Sequence, residues 1–265
     1  EDPEDNNWSM DFYYGANVRD TWGITVGDSS EVVAILGTGV DLNHADLVPN
    51  LWKDPSSAFA SIKESRDGFN VFNTSTRNPP QDSHGITTHA AGKGNNGIGI
   101  AGVAWNVKLM PVRVISSSGN TLSTDVAKMV EGIRYVIKKK QQGNNVTVIF
   151  NFWNFPADQN NSLRDVITEA GANGILFVTA AGDSSRNLNT QASVPGNFTN
   201  SNLISVASYY GVVNPSKPPH YSDVFFSSFS NFGNARVHLA APGEIIRSCW
   251  IGNTYNNWAG TVDSA

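Results

Sequence analysis

Short apolar runs alternate along the chain with amphipathic stretches of three or four turns. Residues 32–36 are five consecutive apolar residues followed by Gly37 and Gly39, a pattern typical of a buried parallel strand that ends in a tight turn. The same criteria predict further strands at 108–115, 146–152, 175–180, 203–208 and 237–240, and helices at 84–91, 124–140 and 162–172. This alternation predicts an α/β fold with a parallel sheet and right-handed crossovers.

Composition and charge exclude several classes of partner. The 265 residues carry a net charge of −5 and no block of Lys and Arg that indicates a nucleic-acid surface. The three lysines Lys138, Lys139 and Lys140 are interpreted as the solvated end of the second predicted helix. No run approaches the roughly 18 apolar residues that a membrane span needs. We therefore expect neither a nucleic-acid partner nor a membrane span.

Cysteine usage and glycosylation sequons bear on the cellular compartment. Cys249 is the single cysteine, so no internal disulfide can form, and a small buried side chain is expected there. Five N-x-S/T sequons occur, at Asn7, Asn73, Asn145, Asn160 and Asn197. In a chain so rich in asparagine they give weak support to secretion and glycosylation. The expected location is secreted or cell-surface.

Seven segments, in order, resemble blocks of the subtilisin-like serine proteases. They read VVAILGTGVDLNHADL, HGITTHAAGKGNNGIGIAGVA, WNVKLMPVRV, GILFVTAAGD, NLISVAS, SSFSNFGNARVHLAAPG and AGTVDSA. The resemblance implies the subtilisin-like α/β fold, a parallel sheet sandwiched between helices on both faces. It also implies one peptidase domain over residues 1–265, with the last residues matching the start of the helix that bears the family's catalytic serine.

The catalytic positions depart from the family pattern. By this resemblance the triad aspartate falls on Gly37, the oxyanion-hole asparagine on Asp183 and the nucleophilic serine on Val262. Asp41, four residues after Gly37, is interpreted as a surface-loop or capping residue. These replacements predict that hydrolysis by the family mechanism is lost, because a carboxylate repels an oxyanion and valine has no hydroxyl.

The catalytic histidine has two possible positions. Alignment forward from Ser83-His84-Gly85 retains His84, whereas alignment backward from Ala91 places Ile86 there and His89 beside the site. We favour His84, which without a serine and an aspartate is an orphan.

Other residues can be considered as replacements for the lost groups. Ser264 lies two residues beyond Val262, about 200° around a helix, so its side chain is expected to face away. An acid-based site built from Asp183, Asp263 and His84 is not favoured by any spacing. The sequence therefore favours a pseudoprotease that binds a protein or peptide ligand. The alternative is an active serine endopeptidase with a rearranged site.

Two segments match the family's substrate groove. Phe152, Trp153, Asn154 and Phe155 stand where the family has the Ser-Leu-Gly-Gly wall of its S1 pocket. These side chains either fill that pocket or complete a core strand. On the opposite wall, Ser118, Gly119 and Asn120 match the substrate-pairing edge, with Thr121 where a glycine is common. An exposed edge there can add an extended peptide as a strand.

Two further features follow from the resemblance. One is a structural calcium ion held by side chains of Asp2, Asp46 and Asn96 and by carbonyls of Gly94, Ile98 and Ile100, an oxygen cage that suits a hard cation. The alternative is that Asp46 caps a helix start and the loop is a plain turn. The other feature is Pro195, which matches a family proline that is often cis.

Overall fold

The computed structural model describes residues 2, 8–10, 15–56, 58–81, 92–116, 126–151, 153–156, 161–211 and 223–265. The helices are α1 (Val18–Thr21), α2 (Val126–Gln141), α3 (Asn161–Ala172) and α4 (Thr261–Ser264). The strands are β1 (Val32–Gly37), β2 (Glu64–Ser65), β3 (Gly68–Asn70), β4 (Lys108–Arg113), β5 (Val146–Asn151), β6 (Leu176–Ala180), β7 (Leu203–Gly211), β8 (Val224–Phe226), β9 (Leu239–Pro242), β10 (Ile246–Trp250) and β11 (Thr254–Trp258).

One large sheet places β1 near its centre. The strand order is β2-β3-β4-β1-β5-β6-β7-β8, and β9 pairs in parallel with β7. β1 pairs in parallel with β4 and β5, from Val32 opposite Lys108 to Gly37 opposite Arg113 on the β4 side. The pairs β2–β3 and β7–β8 are antiparallel. The predicted α/β fold with a mainly parallel sheet is confirmed.

The two faces of the sheet are covered differently. Alternate β1 residues, such as Ala34 and Leu36, pack with the apolar stripes of α2 and α3 in one core cluster. On the other face, Ile35 packs with apolar residues of the loops before β4 and with Cys249 of β10. The antiparallel hairpin β10–β11 and the single turn of α4 lie on this second side. The expected burial of Cys249 is confirmed.

Several predicted elements agree with the structure to within a few residues. The strand predicted at 108–115 ends at Arg113, and the strand predicted at 203–208 continues to Gly211. The predicted helix at 84–91 lies outside the described residues. The hairpin β10–β11 was not predicted, because β11 is mostly exposed and its TYNNW sequence lacks an apolar alternation.

The interpretation of the three lysines as a solvated helix end is wrong for Lys139. Its side chain is 2% exposed, and its Nζ lies 2.5 Å from Asp54 Oδ2 and 3.5 Å from Glu64 Oε2. Lys138 Nζ donates to the other oxygen of Glu64 at 2.8 Å. The loop after Trp52 and the hairpin β2–β3 pack over the last turns of α2, and they supply the carboxylates that make burial of a lysine tolerable.

None of the helices in the described ranges combines the length and apolarity needed to cross a membrane.

Candidate functional site

Gly37 ends β1, and the sequence resemblance assigns it to the family's catalytic aspartate. The Gly37 carbonyl accepts hydrogen bonds from Val114 N at 2.8 Å and Ile115 N at 3.1 Å. Glycine has no side chain, so this position cannot orient or charge-stabilise a histidine. The end of β1 is therefore hydrogen-bonded through its backbone to the residues that follow β4, and Gly37 contributes no side chain there.

Asp41 is not free to replace the missing aspartate. Its carboxylate accepts hydrogen bonds from Asn43 N at 3.0 Å, Gln81 Nε2 at 3.0 Å and Gly252 N at 2.9 Å. Burial raises the pKa of Asp41, but these hydrogen bonds, led by the one from Gln81, lower it more, so the net pKa lies below its usual value. The Asn43 bond forms an Asx turn within the loop, and no helix begins at Asp41. The surface location is wrong, because the turn of the β10–β11 hairpin covers Asp41.

Two hydrogen bonds join the Gly182-Asp183 segment to the start of α4. Gly182 N donates to Thr261 Oγ1 at 2.9 Å, and Thr261 N donates to Asp183 Oδ1 at 2.8 Å. The carboxylate thus accepts a backbone N–H at the position where the family places a hydrogen-bond donor. Val262, the next residue, is half-buried and packs against the second core cluster. The Val262 side chain has no nucleophilic atom, and Asp183 Oδ1 acts here as a hydrogen-bond acceptor.

Asp263 forms a carboxyl pair with Asp183 across Gly260. A methyl group added at Gly260 would lie 3.4 Å from Asp183 Oδ2 and 3.5 Å from Asp263 Oδ2. Burial, and secondarily the charge of Asp183, raises the pKa of Asp263 well above its usual value. Asp263 Oδ2 has no hydrogen-bond partner within the described residues. The two carboxyl groups thus differ in environment: Asp183 is exposed, whereas Asp263 is half-buried and burial raises its pKa.

Ser264 lies in the single turn of α4, two residues after Val262. Its Oγ lies 3.5 Å from the Gly260 carbonyl and close to the Cα of Gly243, so it turns back toward the start of α4. His84, His89 and Ile86 lie outside the described residues, so a site that combines a histidine with Asp183 and Asp263 is not placed by the structure.

The aromatic residues of the groove segment divide between the core and the surface. Trp153 and Phe155 are 3% and 5% exposed and belong to the main core cluster, which fits the core-strand interpretation and not the filling of a pocket. Asn154 points the other way and accepts a hydrogen bond from Ser193 Oγ at 3.3 Å. Alternation along an extended segment explains this split, because residues 153 and 155 share one face.

The neighbouring wall of the groove is closed by backbone pairing. Phe155 and Val194 exchange two N–H···O hydrogen bonds, each of 3.0 Å. The bond between Val194 and Pro195 is cis, as the resemblance implied. Phe152 and the opposite edge at Ser118, Gly119 and Asn120 lie outside the described residues.

The side chains predicted to bind calcium converge on one loop. Asp2 is buried and accepts hydrogen bonds from the backbone N–H groups of Asn95, Asn96 and Gly97 at 2.7, 2.9 and 2.9 Å. Asp46, also buried, accepts from Asn96 Nδ2 at 2.9 Å and from Ile100 N at 2.9 Å. Asn96 therefore donates to both carboxyl groups, through its backbone N–H to Asp2 and through its side chain to Asp46.

The Asp2, Asp46 and Asn96 cluster suits a cation because its two carboxyl groups lack a basic partner. Neither Asp2 nor Asp46 forms an ion pair with Lys, Arg or His in the described part of the chain, so two buried carboxyl groups share one loop without a basic partner. The loop carbonyls of Gly94, Ile98 and Ile100 are the remaining candidate ligands. Nowhere in the described ranges do three or more His, Cys, Asp or Glu side chains form a metal-binding group. A cation here would depend on neutral oxygen ligands.

Tyr255 is a site residue that sequence reasoning missed. Its hydroxyl donates to Asp46 Oδ2 at 2.8 Å from β11, which is 209 residues further along the chain. No local pattern signals such a contact, because it depends on where the β10–β11 hairpin docks.

Comparisons with known proteins agree with this geometry. The model of the subtilase family matches residues 28–265, and the chain therefore belongs to the subtilase family. A strand order centred on β1 and a site at the carboxyl edge of the sheet fit that assignment. The suspected relationship to subtilisin-like proteases and the subtilisin-like fold are confirmed.

Individual relatives show how far the similarity extends. The chain is 33% identical over 248 residues to thermitase of Thermoactinomyces vulgaris, covering 91% of this chain and 72% of thermitase. It is 26% identical over 268 residues to an extracellular protease of Xanthomonas campestris pv. campestris, covering 95% of this chain but 42% of that protein. A solved structure of a protease from Pseudoalteromonas arctica PAMC 21717 superposes with a TM-score of 0.76 at 23% identity. That superposition covers 100% of this chain and 83% of the other.

Proposed function

We propose that this chain is a non-catalytic subtilase that acts by binding a protein or peptide. The observation that carries the proposal is the hydrogen bond from Thr261 N to Asp183 Oδ1 beside Val262. The sequence resemblance assigns Asp183 to the oxyanion position, and its role as a hydrogen-bond acceptor beside Val262, which has no hydroxyl, supports the proposal. Gly37 removes the third catalytic group.

Magnitudes support the loss of hydrolysis. In subtilisin, loss of the nucleophilic serine alone lowers kcat by about 10⁶, and the residual rate comes from the oxyanion hole and from binding. Loss of one side-chain donor of an oxyanion hole costs a further factor of about 10² to 10³. In this chain both positions are altered together, so no source of residual family chemistry remains at Val262.

We expect no labelling by a fluorophosphonate probe and no hydrolysis of a broad peptide-substrate library, with or without calcium. The physical reason is the absence of a serine hydroxyl at Val262. The measurement is gel fluorescence after labelling, together with mass-spectrometric detection of cleaved peptides. Thermitase in the same assays is the positive control, and the same protein after heat denaturation is the background.

The competing function is that of an active endopeptidase with a rearranged site. It draws support from the names of the relatives, which are proteases, and from the position of Ser264 in α4. Specific labelling that is absent in a Ser264→Ala variant would establish this function and overturn the pseudoprotease proposal. Labelling that persists in that variant would place a recruited serine elsewhere, with the same consequence.

Secretion is part of the same proposal. One relative is named an extracellular protease. Of the sequons, Asn145 is exposed, whereas Asn73 is buried with its Nδ2 donating to the carbonyls of Ile62 and Asn78. A glycan on Asn145 is compatible with the fold, and a glycan on Asn73 is not.

We also propose that one calcium ion binds at the Asp2–Asp46 loop. Calcium at 100 times its dissociation constant is expected to stabilise the fold by about 2.7 kcal/mol, which raises Tm by several degrees. The measurement is a thermal-melting series in EGTA and in increasing calcium. Asp46→Asn should lose the calcium-dependent increment, while exposed Asp28→Asn should retain it. Equal melting temperatures of the original protein in EGTA and in calcium would contradict this proposal.

A further inference from the structure

An open polar cavity of about 620 Å³ adjoins the groove beside Asp183. Its described lining comprises Pro156, Ser184, Ser185, Arg186, Thr190, Gln191 and Ala192. Ser184 directly follows Asp183, and Ala192 precedes Ser193, whose hydroxyl contacts Asn154. The cavity therefore opens onto the same surface that the proposed function assigns to a peptide ligand.

Arg186 is the one charged residue among the described residues that line this cavity. Its side chain is half-buried, and its guanidinium has no hydrogen-bond or ion-pair partner in the described part of the chain. A guanidinium carries five N–H donors in a planar fork that matches a carboxylate bidentately. Ser184, Ser185, Thr190 and Gln191 surround it with further polar groups. The cavity is thus equipped to receive an anion.

The loop that carries Arg186 is held in place before any ligand arrives. Oδ1 of the buried Asn231 accepts hydrogen bonds from Ser184 N at 3.2 Å and Arg186 N at 2.8 Å. Ser185 has a left-handed φ of 52°, and its N and Oγ donate to the carbonyls of Phe229 and Ser228 at 2.8 and 2.6 Å. A backbone fixed in this way lowers the entropic cost of binding.

The other charges of the protein do not attract acidic ligands to this cavity. Asp183 is exposed nearby, but one of its oxygens is engaged by Thr261 N on the α4 side, and it does not line the cavity. The net charge of −5 disfavours acidic ligands at a distance. Long-range attraction therefore cannot explain a preference for an acidic ligand. Such a preference requires direct contact with Arg186.

We propose that Arg186 makes this cavity a recognition site for the carboxylate side chain of an aspartate or glutamate in a bound peptide. This inference rests on the proposed function, since it names the chemistry of the ligand at that same surface. Arg186 is then a specificity-determining residue that acts by direct contact.

The test uses three fluorescein-labelled decapeptide pools, N-acetylated and C-amidated, that are identical except for Glu, Gln or Lys at the central position. Binding is measured by fluorescence anisotropy at low and high salt for the original protein, Arg186→Gln and Arg66→Gln. Arg66 is exposed in the β2–β3 hairpin, so its variant changes net charge equally but far from the cavity. Because the termini are blocked and all pools carry the same label, the Glu and Gln pools differ only in the side-chain carboxylate at the central position.

The expected result is about five- to tenfold tighter binding of the Glu pool than of the Gln pool, weakened by salt. The preference should vanish in Arg186→Gln and persist in Arg66→Gln, and Arg66→Gln should bind each pool as the original protein does. Equal binding of all pools, or a Glu preference that survives in Arg186→Gln, would overturn this inference and leave the proposed function intact. No binding of any pool would overturn the proposed function, and this inference with it.

Discussion

Replacing Lys139 with methionine is expected to lower the free energy of unfolding by about 3–5 kcal/mol. The Lys139 ammonium lies between Asp54 Oδ2 at 2.5 Å and Glu64 Oε2 at 3.5 Å, and 2% of its side chain is exposed. Methionine fills much of the same volume but leaves two buried carboxylates without their shared counter-charge. The loss is therefore electrostatic and not a loss of packing.

Urea denaturation followed by circular dichroism measures this effect. Lys138→Met is the matched control, because Lys138 is 38% exposed and contacts one oxygen of Glu64 at 2.8 Å. Its loss should cost about 1 kcal/mol. Equal losses in the two variants would mean that burial of the Lys139 pair is not what stabilises the last turns of α2.

The same variant should change how stability depends on pH. Burial raises the pKa of Asp54, but the hydrogen bond and the charge of Lys139 are among the contributions that lower it more, so its net pKa lies below the usual value. A lowered folded-state pKa contributes stability above the unfolded pKa of about 3.9 that is lost as pH falls through the folded pKa. The stability difference between the original protein and Lys139→Met should therefore shrink below about pH 4.

Replacing Gly132 with valine is the second change expected to have a large effect, a loss of about 3 kcal/mol. A Cβ at Gly132 would lie 2.3 Å from Val114 Cγ1 and 3.1 Å from Val112 Cγ1. Contact this close forces α2 away from β4, or it forces the side chain of Val112 or Val114 out of its preferred rotamer. The better helix propensity of valine over glycine offsets only a few tenths of a kcal/mol.

Ala127→Val provides the control for this prediction. Ala127 is exposed on α2, so the same β-branched side chain should cost about 0.5 kcal/mol there through helix propensity alone. Chemical denaturation at fixed temperature compares the two variants. A Gly132→Val protein as stable as the Ala127→Val protein would show that α2 does not approach β4 as closely as the structure has it.

Features that depend on local periodicity could be read from the sequence alone. The strands around β1 and the helices α2 and α3 followed from apolar runs and amphipathic stripes, because backbone geometry imposes periods of 2 and 3.6 on neighbouring residues. The assignment of Gly37, Asp183 and Val262 to the family's catalytic positions rests on short contiguous motifs and stays a prediction. The meeting of Asp2, Asp46 and Asn96 was inferred from the family resemblance, and the structure brings them together.

The partners of polar groups were decided by the tertiary structure. Lys139 belongs to a charged run that is typical of a solvated helix end, yet a distant loop and hairpin bury it. Asp41 and Asp46 receive donors from the β10–β11 hairpin, about 210 residues away. The loop that carries Arg186 is held by Asn231, 45 residues further along the chain. Apolar burial leaves a local pattern, whereas the hydrogen-bond partner of a charge depends on which segments dock together, so for these residues only the fold supplies the answer.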